Sequence, residues 1–271
     1  MSIRHRGLNL ILGACGIALV AASAIAQEKA YEPVSGQAGK DAVWVPTPLV
    51  TVEKMLDVAK VTPQDLVIDL GSGDGRNVLA AAKRGARAIG VEFEDKLVAL
   101  SQQMAKQQGI ADKASFVQGD MFAYDISKAN VMALFLLPEH FTKLLPNFLA
   151  LKPGSRIVIN TFRIPNWDPD VTEKAEGDCG NWCTVIMYIV PAQVGGTWKL
   201  GKGQLTLNQE FQKLTGTLDV NGKAVPISDA RLRGDNITFT VNGAQYAGRV
   251  DGKAMSGQIT GSQTGSWSAS R

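Results

Sequence analysis

Glycines fall at Gly71, Gly73 and Gly75, a GxGxG run directly behind the apolar stretch Val67, Ile68 and Leu70. The apolar stretch reads as a buried strand, and residues 77–82 read as the helix that follows it. A glycine turn between strand and helix lets a ligand approach the backbone and meet the free N–H groups of the helix. Asp69 lies inside the strand end, before the first glycine. Glu92 follows about 20 residues after the turn, where an acidic residue accepts hydrogen bonds from a ribose diol. Asp120, with Met121 and Phe122 beside it, ends a further apolar stretch. A dinucleotide fingerprint would need glycine where Arg76 stands, so the spacing argues against a nicotinamide-dependent oxidoreductase. A tight structural turn is the alternative reading of the glycines taken alone.

These residues need a scaffold that gathers strand ends. Apolar runs at 66–70, 88–91, 115–118, 130–137 and 156–161 alternate with helical patterns at 50–59, 77–82, 95–108 and 141–151. Such alternation predicts an α/β fold, a doubly wound parallel sheet. In that fold ligands bind at the carboxyl ends of the strands near the switch point, where Gly71, Glu92 and Asp120 all fall. Residues 171–174 and 184–190 predict two further strands that close the sheet with an antiparallel edge. After Pro191 the pattern changes to strand alternation, as in Ile237, Phe239 and Val241. Asn221-Gly222, Asn242-Gly243 and Asp251-Gly252 are hairpin signals. The tail therefore predicts a small antiparallel all-β domain, a barrel or a sandwich. The expected organisation is a signal peptide at 1–26, a linker at 27–40, the α/β domain at 41–193 and the β-rich domain at 194–271.

The run D-L-G-S-G-D-G at 69–75 resembles the first motif of class I S-adenosylmethionine (SAM)-dependent methyltransferases. The resemblance implies SAM as cofactor, held by Asp69, Gly71, Gly73, Gly75, Glu92, Asp120 and Met121. Glu92 would take the ribose hydroxyls and Asp120 the adenine amino group, with Met121 and Phe122 flanking the ring. Methyl transfer by in-line displacement asks mainly for alignment and desolvation. A lysine acceptor must first lose a proton from an amine whose ordinary pKa is about 10.4. An apolar, aromatic pocket lowers that value without a dedicated base, and no catalytic residue is singled out. Trp44, Phe135, Phe162 and Trp167 are candidate walls.

A closer resemblance rests on W-V-P-T-P at 44–48, D-L-G-S-G-D-G-R at 69–76, A-A-K-R-G-A at 81–86, F-L-L-P at 135–138 and L-K-P-G-S-R at 151–156. Together they look like the protein-lysine N-methyltransferases of the mitochondrial ATP synthase c subunit and the adenine nucleotide translocase, with their exported bacterial relatives. The likeness covers residues 41–170. It implies a seven-stranded SAM-binding sheet, lysine methylation, and a Pro-Thr-Pro segment near cofactor and acceptor, which adds Pro46 and Thr47 to the candidate pocket with Trp44, Phe135 and Phe162. The chain departs from the family where Phe135 replaces a tyrosine and where Asn160-Thr161 replaces Ser-His before Phe162. Both changes remove side chains that could orient an acceptor or cofactor. The rival reading is an exported, non-catalytic protein that binds a nucleoside-like ligand or an envelope partner on the same scaffold.

The N-terminus sets the compartment. Arg4 and Arg6, an apolar run over 8–22 and Ala24-Ile25-Ala26 make an export signal with Gln27 as the new N-terminus. The alternative is an uncleaved inner-membrane anchor, since the apolar run is about long enough to span a bilayer. Either way the body is expected outside the cytoplasm, in the periplasm. Cys179 and Cys183 are then a disulfide pair, with two free thiols as the alternative. A metal site is not expected, because His5 and His140 lie far from the cysteines. The formal net charge is +3, to which Arg4 and Arg6 contribute two, so nothing points to nucleic acid. The expected partners are a protein or small-molecule methyl acceptor, and an envelope partner for the β-rich tail.

Overall fold

The computed structural model describes residues 1–2 and 31–271. The expected export signal therefore lies, apart from its first two residues, outside the described residues. The chain divides into a short unit, Met1–Glu32, and a large one, Pro33–Arg271.

The large unit contains two sheets. Elements α1 (Leu49–Val58), β1 (Leu66–Leu70), α2 (Arg76–Lys83), β2 (Arg87–Glu92), α3 (Asp95–Gln107), β3 (Ala114–Gln118), β4 (Val131–Leu134), α4 (Pro138–Leu149), β5 (Arg156–Asn160), β6 (Val171–Lys174) and β7 (Thr184–Ile189) build the first. Its order is β3-β2-β1-β4-β5-β7-β6, with β7 antiparallel to both neighbours and the first five strands parallel. The order reverses between β1 and β4, so the switch point lies where β1 runs into the glycine turn. Strand β1 is apolar along its length because both faces are covered. Val67 joins the core under α1, α2 and α3, whereas Ile68 and Leu70 join the core with Phe141, Leu144 and Phe148 of α4.

Two boundaries differ from the sequence expectation by three residues. Strand β4 stops at Leu134 rather than 137, so Phe135, Leu136 and Leu137 leave the ladder. Helix α4 begins at Pro138, three residues earlier than its periodicity suggests. Proline has no N–H to donate, and the first turn of a helix does not need one.

The second sheet is formed by β8 (Gly196–Leu200), β9 (Gly203–Glu210), β10 (Lys213–Val220), β11 (Lys223–Pro226), β12 (Ser228–Arg233), β13 (Asn236–Val241), β14 (Ala244–Asp251), β15 (Ala254–Gly261) and β16 (Gly265–Ser270). Strands β11 and β12 both pair with β10, and from β12 to β16 each strand pairs with the next. Strand β16 returns to β8, and β8, β9 and β10 complete the ring. The result is a closed antiparallel barrel, which decides between the two all-β forms expected. The positive φ of Asn221, Gly222, Asn242 and Gly243 gives two hairpin turns the twist that suits the flanking strands. Trp198, Phe239, Tyr246 and Trp267 fill the interior. Gly248 pairs with Gly257 under Trp267, whose ring would meet a Cβ on Gly248 at 2.7 Å.

The two sheets are joined by packing and hydrogen bonds. Trp167 stacks on Phe211 at 5.1 Å between ring centres and tilts against Tyr188. Gln212 donates to the Asp168 carbonyl at 2.6 Å, and Arg231 pairs with Asp170 at 3.0 Å. Trp167 thus belongs to this joint and not to a ligand wall, which corrects the sequence expectation.

Trp198 is fully buried and its indole N–H donates to the Val194 carbonyl at 2.7 Å. Replacing a core tryptophan by alanine costs roughly 3–5 kcal/mol. Trp198→Ala is therefore expected to lower the urea midpoint by that equivalent, read by far-ultraviolet dichroism.

Candidate functional site

The turn after β1 is made of close contacts. Gly73 has φ +55°, and a Cβ there would lie 2.4 Å from the Trp44 indole nitrogen. Gly75 caps α2 with φ +78°, and a Cβ there would collide with the Phe116 ring at 2.5 Å. The first and second glycines line a cavity of about 280 Å³ at the strand ends, near the lower end of the range for small-molecule pockets. Gly75 does not line it; its task is to let α2 start against β3.

Strand order sorts the cavity's chemistry. Glu92 ends β2 and Asp120 follows β3 on one side of the turn, while Phe135 and Phe162 follow β4 and β5 on the other. The Glu92 carboxylate accepts N–H bonds from Gly73 at 2.8 Å, Phe93 at 2.8 Å and Glu94 at 3.0 Å. A carboxylate has about four acceptor sites, so one stays open for a ligand hydroxyl. The Gly73 N–H is consequently taken by Glu92 and is not offered to a ligand.

Asp120 accepts from Lys40 Nζ at 2.6 Å and from the Phe122 N–H at 2.8 Å. The Lys40 hydrogen bond, then that from Phe122, holds its carboxyl below the usual range. Lys40 also lies 4.8 Å above the Phe93 ring. It belongs to a strap that crosses the cavity, folded back by hydrogen bonds of Gly36 to Trp44 and of Trp44 to Gln37. Arg76 pins the strap to α2: it donates to the Thr47 carbonyl at 2.6 Å and forks onto Asp74. Trp44, Pro46 and Thr47 line the cavity, as does Met121.

Asp69 is the buried acid of the site, 3% exposed. Burial, more than its neighbours, pushes its carboxyl well above the ordinary range; Glu92 and Asp74 add to the rise and a hydrogen bond from Asn77 opposes it. Asn77 Nδ2 donates to Asp69 at 3.1 Å and to the Ala133 carbonyl at 3.2 Å, leaving its buried Oδ1 without a partner.

The opposite side is aromatic. Phe135 and Phe162 lie nearly parallel, 6.1 Å between centres, and Trp182 stands edge-on to both at 5.1 and 6.1 Å. Thr161 reaches φ +65°, a strained setting for a β-branched residue, where the chain leaves β5 just before Phe162. Cys179 and Cys183 are bonded to each other, and Trp182 sits inside the loop they close. Sequence reasoning missed Trp182, Asn77 and Lys40 as cavity residues. For Trp182 a signal existed, since a side chain between two bonded cysteines is held in place.

The residues fit SAM. A glycine path without side chains, a carboxylate with one open acceptor site, a buried acid and an orphaned amide oxygen suit an adenosyl group with an amino-acid tail. All predicted cofactor residues except Gly75, and all five predicted pocket residues, line this one cavity.

Comparison with known proteins agrees. A profile of the ANTKMT methyltransferase domain matches residues 69–171. The protein-lysine N-methyltransferase of Saccharolobus islandicus is 39% identical over 150 residues, 54% of this chain and 92% of that one. The mouse lysine N-methyltransferase of the ATP synthase c subunit is 34% identical over 130 residues, 48% of this chain and 51% of that one. The chain thus spans nearly all of the archaeal relative but about half of the mouse one. A crystal structure from Salinibacter ruber, described as an RNA methyltransferase with S-adenosyl-L-homocysteine, is 42% identical with a TM-score of 0.52, covering 55% of this chain and 96% of that one.

Asp69 yields a test. Its raised folded-state pKa means the native chain holds a proton that the unfolded chain has lost, so this group's contribution to stability falls as pH rises from the ordinary carboxylate pKa toward the raised value. Asparagine cannot ionise. Asp69→Asn is expected to melt with the wild type in acid and above it at neutral pH, the gap widening through that window in a thermal scan without ligand.

Proposed function

We infer the reaction from the family to which this chain belongs, the SAM-dependent protein-lysine N-methyltransferases. SAM supplies an electrophilic methyl group on a sulfonium. The chain's own contribution is to hold that group and to desolvate the acceptor. Glu92, fixed by three N–H donors, keeps one acceptor site for a ribose hydroxyl. Asp120 and Met121 serve the adenine, and the buried Asp69 serves an ammonium, the charge that best relieves its burial. Gly71 lets the ligand backbone pass, and the Trp44 strap covers it.

The acceptor side is Phe135 and Phe162, with Pro46 and Thr47 beside them. Apolar walls disfavour a charged amine and so raise the fraction of lysine that carries a free lone pair. Alignment and exclusion of water then carry the rate, without a dedicated base. The observation that supports this reading best is the single cavity, acidic after β2 and β3 and aromatic after β4 and β5, with the glycine turn between. Named methyltransferase relatives favour catalysis over a scaffold that merely binds a nucleoside. The nearly balanced 28 basic and 25 acidic residues favour a protein acceptor over the RNA named for the Salinibacter ruber structure.

Calorimetry with SAM and with S-adenosylhomocysteine tests the cofactor half. Glu92→Ala is expected to weaken both by roughly ten- to a hundredfold, the worth of a charge-assisted hydrogen bond. Unchanged affinity would remove Glu92 from the ribose. Incubating the chain with methyl-labelled SAM and cell extract, then hydrolysing the protein, is expected to yield labelled methyl-lysine; label in RNA instead would reassign the acceptor.

We further propose that the reaction takes place outside the cytoplasm. The basic start, apolar run and Ala24-Ile25-Ala26 support export, and the Cys179–Cys183 bond suits an oxidising compartment. Fractionation followed by N-terminal sequencing is expected to give a periplasmic chain that begins at Gln27. A cytoplasmic chain beginning at Met1 would refute this.

A further inference from the structure

The geometry points to Trp182, presented by the Cys179–Cys183 loop, as the residue that completes the acceptor side of the cavity by taking the stem and cationic head of an incoming lysine. The inference rests on the lysine-methyltransferase reading and adds a residue outside the family-matched segment, which ends at 171.

Four observations carry it. Trp182 lines the same cavity as Gly71, Glu92 and Asp120, on the side where β4 and β5 end. It contacts both phenylalanines of that side edge-on, so the three rings form one continuous wall. Its position is enforced: its backbone N–H donates to the Cys179 carbonyl at 2.8 Å, and its backbone carbonyl accepts from Thr51 Oγ at 2.9 Å. Thr51 is fully buried in α1, and the disulfide closes the loop with Cys179 itself buried.

The chemistry follows from the wall. A lysine side chain is an apolar four-carbon stem with a charged end, and it lies along apolar surface while its head seeks a polar or π-rich site. Indole is the strongest of the aromatic faces for a cation, so Trp182 would receive the amine while it is still charged and again once it is fully methylated, whereas Phe135 and Phe162, the weaker faces, border the place where it must be neutral. No hydrogen-bond partner is required, so the wall accepts an amine before and after methylation. The indole would therefore govern affinity for the acceptor and leave the adenosyl side untouched. The disulfide acts as a positioning device: without it, Trp182 keeps its contacts with Phe135, Phe162 and the Thr51 hydroxyl, but the loop that presents it is no longer closed.

The test uses the purified chain saturated with S-adenosylhomocysteine, titrated with n-butyltrimethylammonium as a lysine-stem probe, both steps followed by calorimetry. Trp182→Ala is expected to weaken the probe roughly tenfold and Trp182→Phe by less than about threefold, with S-adenosylhomocysteine affinity changed by less than about twofold in either. Cys179→Ser with Cys183→Ser, or dithiothreitol on the wild type, is expected to weaken the probe in the same direction, by less than the alanine variant does. The reductant arm keeps the test open if the alanine variant does not fold. Wild-type affinity for the probe in Trp182→Ala, or no probe binding by the loaded wild type, would overturn the inference. Equal losses of probe and S-adenosylhomocysteine would assign Trp182 to the cofactor side, and unchanged affinity after reduction would remove the disulfide's role. A wild type that binds no S-adenosylhomocysteine would sink the functional reading itself, a result distinct from all the others.

Discussion

The carboxylate of Glu92 ties the end of β2 to the turn that follows β1. One oxygen accepts the N–H of Gly73 and the other the N–H groups of Phe93 and Glu94. Hydrogen bonds to a charged acceptor are the strong ones, and three of them fix both turns before any ligand arrives. Everything above the sheet depends on that clamp. Gly73, held in place, offers a flat surface on which the Trp44 indole rests. The strap that carries Trp44 can then reach Arg76, which binds the Thr47 carbonyl and fastens the cover to α2. A side chain on Gly73 would lift the indole, so the glycine is needed for the cover as much as for the turn.

The cavity's two characters follow from chain order. A doubly wound sheet runs outward from β1 in both directions, so the acids at the ends of β2 and β3 line one side of the cavity and the aromatics that follow β4 and β5 line the other. Polar recognition is thereby kept on one side and desolvation on the other. Asp69 sits at the boundary, at the end of the central strand. Its burial makes it costly to ionise, so it gains from a nearby positive charge. Asn77 steadies it from the first turn of α2, so one short helix start serves both the buried acid and the glycine turn.

Much of this was legible in the sequence for physical reasons. A parallel strand buried on both faces has to be apolar, so an acid inside one, such as Asp69, stands out. Glycines that must adopt positive φ cannot be replaced silently, and the hairpin pairs Asn221-Gly222 and Asn242-Gly243 mark turns by the same rule. What escaped depends on tertiary placement. Trp167 and Trp182 both lie far from β1 in sequence, and nothing local says that one packs on Phe211 while the other meets Phe135. The end of β4 was misjudged because Phe135, Leu136 and Leu137 are as apolar as the strand before them; they turn aside to line a pocket, a role that hydropathy cannot separate from a core. Lys40 was invisible as a partner of Asp120 because the two lie 80 residues apart. Closure of the barrel likewise depends on a pairing between its first and last strands.

That closure has a consequence for life in a crowded compartment. A closed ring of strands leaves few borders along which another chain can add, and unpaired borders are where aggregation begins; the barrel keeps a short one at β11, four residues long, with exposed Lys223 and with Pro226 at its end. Among the described residues the first sheet keeps two, β3 and β6. Strand β6 is four residues long and carries exposed Glu173 and Lys174, with Glu173 paired to Lys54 of α1 at 2.5 Å. Brevity and charge are the usual deterrents to a foreign strand, so β6 in one half of the molecule and β11 in the other are guarded by the same means.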